Sequence, residues 1–61
     1  MRIKTIIVDD ESIARQVLEN YCKKYCPIID IVGQAQHIKE AVPMIRELQP
    51  QLLFLDVEMP F

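Results

Sequence analysis

The chain has 61 residues with seven Lys+Arg and nine Asp+Glu, carries a net charge of −2, and is 51% hydrophobic and 26% charged. Apolar content this high with so little net charge excludes a disordered tail, and the short apolar runs fall far below the roughly 20 residues of a membrane span. No basic cluster supplies an electrostatic footprint for nucleic acid, and the opening Met-Arg-Ile-Lys-Thr has no secretory-signal pattern, so a single cytoplasmic unit is expected.

Residues 3–8, Ile-Lys-Thr-Ile-Ile-Val, predict a strand, and the β-branched run Ile6, Ile7, Val8 fits burial on both faces of a parallel sheet. The strand runs directly into Asp9-Asp10-Glu11-Ser12. Residues 11–26 then show helical periodicity, with Ile13, Ala14, Val17, Leu18, Tyr21, Cys22 and Tyr25 on one apolar stripe and Arg15, Glu19, Lys23 and Lys24 mostly opposite. Asp9 or Asp10 is expected to cap the start, Glu11 suits the positive end of the helix dipole, and Pro27 stops the element. Cys22 and Cys26 lie four apart on this helix, a spacing that closes no useful loop, and they read as reduced thiols. A metal pair lacks the second Cys/His pair that a zinc site needs, and His37 reads as a surface or cap residue.

Residues 28–32, Ile-Ile-Asp-Ile-Val, predict a second strand, with Asp30 suggesting an edge position and Gly33 a turn. Ile38, Val42, Ile45 and Leu48 predict a second helix over about 38–48. Pro43 is tolerated only in a first turn, so the regular helix is expected to begin near Glu40. Residues 51–57, Gln-Leu-Leu-Phe-Leu-Asp-Val, predict a third buried strand, followed by Glu58-Met59-Pro60-Phe61. Alternating strands and helices argue for an α/β fold, a doubly wound parallel sheet with right-handed crossovers. Ligands bind such sheets at the carboxyl ends of the strands.

Two strands carry carboxylates at those ends: the first at Asp9 and Asp10, the third at Asp56. If the two strands are neighbours, the three acids converge, and like charges packed so closely raise one another's pKa or call for a cation. A hard ion with oxygen ligands, Mg²⁺ above all, resolves the repulsion. A carboxylate on a rigid strand beside such an ion can attack phosphorus and form an aspartyl phosphate. On composition and spacing alone a plainer reading stands beside it, in which Asp9 and Asp10 cap a helix and Asp56 ends a strand.

Val8-Asp9-Asp10-Glu11 after one buried strand, and Leu53-Phe54-Leu55-Asp56-Val57-Glu58-Met59-Pro60 after another, resemble the receiver domain of bacterial two-component response regulators. Ser12-Ile13-Ala14-Arg15, the Tyr21 region and Leu-Asp-Val-Glu-Met-Pro are similar to receivers that precede a LytTR-type DNA-binding domain. The resemblance implies the flavodoxin-like receiver fold, here truncated to βαβαβ. It implies that Asp56 is the phosphoacceptor for a sensor histidine kinase. Asp10 would be the direct Mg²⁺ ligand, Asp9 its partner through water, and Glu58 would add its backbone carbonyl. Pro60 would shape the following loop, with Met59 packing beside it.

The family pattern continues for about the same length again, with two strands that bring a Thr or Ser, a Lys and an aromatic residue to the site. Residues 1–61 are therefore expected to be the N-terminal half of a receiver, reaching DNA only through a C-terminal domain beyond them. The edge formed by Leu52, Leu53, Phe54 and Leu55 is expected to promote self-association. Two alternatives are an inactive structural fragment and a Mg²⁺-dependent phosphatase acting through an aspartyl phosphate. Against the phosphatase, Asp56 is followed by Val57 and Glu58 rather than by the Asp-x-Asp pattern of such enzymes.

Overall fold

The computed structural model describes residues 1–56. Five elements follow in order: β1 (Ile3–Val8), α1 (Ser12–Tyr25), β2 (Ile29–Ala35), α2 (Ile38–Leu48) and β3 (Leu52–Leu55). The three strands are parallel in the order β2-β1-β3. β1 is central, as its unbroken apolar run requires: Thr5, Ile6, Ile7 and Val8 are each at most 1% exposed. Thr5 is the buried polar residue among these, and its hydroxyl donates to the Ile3 carbonyl at 3.0 Å. Pairing runs Thr5 to Leu52, Ile6 to Leu53, Ile7 to Phe54 and Val8 to Leu55, so the carboxyl ends of β1 and β3 lie side by side.

The chain crosses from β1 to β2 on one flank, then returns past β1 to β3 on the other. Right-handed crossovers therefore set the two helices on opposite faces. Side chains alternate along β1. Ile6 and Val8 join Ala35 and Ala41 in the core beneath α2, packed by Val32, Ile38, Met44, Ile45 and Leu48. Ile7 faces the other way and, with Ala14, Leu18 and Phe54, lines a cavity of about 320 Å³ between α1 and β3.

Several expectations need correction. Gly33 makes no turn but lies within β2, where a register shift between Thr5 and Ile6 leaves Val32 as the extra residue. Its role is steric: a Cβ there would sit 2.7 Å from Met44 Cε and 3.3 Å from Leu48 Cδ1. α2 begins at Ile38 rather than near Glu40 and carries Pro43 in its interior. The start is fixed by a reciprocal cap, in which His37 Nδ1 accepts from the Glu40 N–H and Glu40 Oε1 accepts from the Gln36 N–H, both at 3.2 Å. The pair resembles a capping box with His in place of Ser or Thr, except that Glu40 reaches the N–H of Gln36, one residue before the N-cap His37. Of the α1 stripe only Ala14, Leu18 and Cys22 turn inward, while Ile13 is 73% exposed and Val17, Tyr21 and Tyr25 form the rest of an outward row. Neither Asp9 nor Asp10 caps α1: Glu11 holds the N-cap position without a side-chain bond. Asp30 does lie on the edge strand β2, 3.6 Å from Arg2.

Candidate functional site

Asp9 and Asp10 leave β1 at its carboxyl end, and Asp56 leaves β3 immediately beside them. The sheet's order of connection reverses between these strands, the place where open α/β sheets hold ligands. Backbone bonds extend the ladder into the site: the Asp56 N–H donates to the Val8 carbonyl and the Asp9 N–H to the Ala35 carbonyl, each at 3.0 Å. The Asp9 Oδ1 accepts from the Glu11 N–H at 3.0 Å, a local turn that replaces the expected helix cap. The Asp9 carbonyl oxygen accepts from Arg15 Nη1 at 2.6 Å.

One carboxylate oxygen from each of Asp9, Asp10 and Asp56 lies within 4.8 Å of the others. Asp9 and Asp56 are half-buried and Asp10 is exposed. Three hard oxygen donors at the ends of β1 and β3, open to solvent on one side, fit a hard divalent cation that keeps several waters, the preference of Mg²⁺. A soft metal would find no thiol or imidazole in this cluster. The expected convergence of Asp9, Asp10 and Asp56 is thus present in the fold, whereas Glu58, Met59 and Pro60 lie outside the described residues.

Residues 5–61 match the response regulator receiver domain. The chain belongs to that family. As a receiver domain of two-component response regulators it is 40% identical over 58 residues to the transcriptional regulatory protein BtsR of Escherichia coli, covering 95% of this chain and 24% of that protein. It is 42% identical over 59 residues to a protein-glutamate methylesterase/protein-glutamine glutaminase of Hydrogenovibrio crunogenus, covering 97% of this chain and 15% of that protein. An uncharacterized response regulatory protein of Yersinia pestis is 41% identical over 58 residues, 95% of this chain and 24% of its own length. The chain thus spans about a quarter, or less, of the length of these relatives. None of its helices among the described residues is long and apolar enough to cross a membrane.

Arg15 is the site residue that pattern reading missed. Periodicity assigned it to the solvent face, yet it is half-buried and turned back toward Asp9. The available signal was its spacing, six residues after Asp9 and one helical turn past Glu11.

Proposed function

We propose that Asp56 of this receiver accepts a phosphoryl group from a sensor histidine kinase while Asp9, Asp10 and Asp56 hold Mg²⁺. The observation that carries this reading is the convergence of the three carboxylates at the ends of β1 and β3. In the transfer, an Asp56 carboxylate oxygen attacks phosphorus, an O–P bond forms, and the N–P bond of the phosphohistidine breaks. The imidazole departs with the electron pair and takes up a proton. β3 supplies the positioning, since its ladder bond to Val8 fixes the Asp56 backbone. Bound Mg²⁺ supplies charge neutralisation on the phosphoryl oxygens. Asp9 and Asp10 would hold that ion, and the backbone carbonyl of Glu58 would be a further ligand in the same proposal. The domain takes up one group per cycle and is not a turnover enzyme.

Residues 1–61 act in this reading as the N-terminal half of the receiver, with the output carried by a LytTR-type DNA-binding domain. The name of the Escherichia coli relative, a transcriptional regulatory protein, supports a transcriptional output. The methylesterase relative supports an enzymatic output as the second reading. Sequence-specific DNA binding by the longer protein, or methylester hydrolysis, decides between them. The β3 edge is proposed to mediate self-association, supported by exposed Leu53 and Leu55.

Incubation with acetyl phosphate and Mg²⁺ tests the phosphoacceptor reading by intact mass. The gain of one phosphoryl group, lost without Mg²⁺ and lost in Asp56→Asn, is the expected result. A gain that survives Asp56→Asn would remove Asp56 from the role.

A further inference from the structure

Asp9 is held at three atoms. Its N–H is bonded to Ala35 at the end of β2, its Oδ1 to the Glu11 N–H, and its carbonyl oxygen to the Arg15 guanidinium at 2.6 Å. The first bond ties the loop to the sheet, and the last ties it to the body of α1. Asp10 lies between Asp9 and Glu11, which the Oδ1 bond joins, and is itself exposed, so its placement depends on how firmly its neighbours are held.

We propose that Arg15 is a positioning residue of the acidic site: its guanidinium clamps the Asp9 carbonyl and thereby holds Asp9 and Asp10 where they share a divalent cation with Asp56. This rests on the cation reading above. Arg15 has two effects of opposite sign. Its positive charge repels a cation, and because Arg15 and Asp9 are both half-buried, salt screens that repulsion only in part. The clamp restricts the loop before the ion arrives, and salt does not remove that restriction. A hydrogen bond from a charged donor is also roughly twice as strong as a neutral one. In this proposal the clamp outweighs the repulsion, so that removing Arg15 weakens cation binding.

The test titrates Mn²⁺ alone into the wild-type chain, Arg15→Lys, Arg15→Met and Asp10→Asn at physiological salt. Free Mn²⁺ is read by electron paramagnetic resonance, with helix content and melting temperature recorded in parallel. Lys keeps the charge and one donor, whereas Met keeps only the apolar stem. Arg15→Met is expected to bind Mn²⁺ about tenfold more weakly, the range for residues that orient metal ligands, at unchanged helix content. Arg15→Lys is expected to restore most of the affinity. Wild-type affinity or tighter binding in Arg15→Met overturns the proposal. Equal loss in both Arg15 variants together with loss of helix content also overturns it, because Arg15 then serves only the fold. Absence of saturable binding in the wild type, or no loss in Asp10→Asn, overturns the cation reading itself, an outcome distinct from failure at Arg15 alone.

Discussion

Three carboxylates with oxygens within 4.8 Å repel one another when no cation is bound. Two unit charges at that spacing interact by roughly 0.9 kcal/mol in bulk water, and salt lowers the figure. Asp10→Asn removes one charge from two such pairs. In chelator-treated chain it is expected to raise stability by about 0.5–1 kcal/mol in urea unfolding, while abolishing the stabilisation that added Mg²⁺ gives the wild type. Lower stability on that substitution would contradict the convergence. Cys22 gives a second titration at this scale. Its burial pushes the thiol pKa up, and neighbouring Cys26 adds to the rise. The folded chain then keeps this proton where the unfolded chain has lost it. The associated stability is fully present below the ordinary thiol value of about 8.5 and is lost as pH rises through the folded value. Urea midpoints should therefore fall as pH rises past the ordinary thiol value, and Cys22→Ala, though less stable at neutral pH, should lose part of that fall. An identical pH slope in the variant would remove Cys22 as its source.

At the scale of elements, packing decides what periodicity cannot. Glycine is the usual punctuation between a strand and a helix, and on that ground alone Gly33 predicts a turn. The bulge at Val32 carries β2 on to Ala35 and sets Gly33 against Met44 and Leu48 of α2. Gly33→Ala is expected to cost about 1 kcal/mol, because the nearest atom is the flexible end of Met44. Adding Met44→Ala should make the second substitution less costly than it is alone, a coupling that a double-mutant cycle measures. Strictly additive effects would contradict this contact. The strand bounds of β1 and the order of all five elements were legible from β-branched runs and helical spacing. The inward face of α1 was not, because its row of Ile13, Val17, Tyr21 and Tyr25 is as apolar as the row the sheet covers. The regular start of α2 was hidden because Pro43 argues for a first turn beginning near Glu40, while the cap between His37 and Glu40 sets it at Ile38, two residues earlier. The site itself was legible at its three acids, since a carboxylate after a buried strand is placed by the strand. The anchoring by Arg15 depends on a side chain folding back over one turn, which spacing alone does not specify.

For the whole molecule, a radius of gyration of 11.0 Å is close to the value of about 10.5 Å expected of a compact chain of this length. β1 is paired on both sides, but β3 has β1 on one side and no other strand among the described residues. Leu53 and Leu55 are 42% and 50% exposed on the face that α2 incompletely covers. Sedimentation should show association that strengthens with concentration, and Leu53→Lys should weaken it by placing a charge on the open strand. A monomer at every concentration would contradict the proposed edge contact. Asp56 follows this strand directly, so the proposed chemistry and the proposed assembly meet at the end of β3. The most direct test of the central claim is to locate the phosphoryl group by mass spectrometry, after reaction with acetyl phosphate and borohydride reduction of the acyl phosphate to an alcohol. One modified residue, Asp56, is expected, formed only with Mg²⁺ and lost in Asp10→Asn. Modification at Asp9 or Asp10, or at Asp56 equally without Mg²⁺, would contradict it.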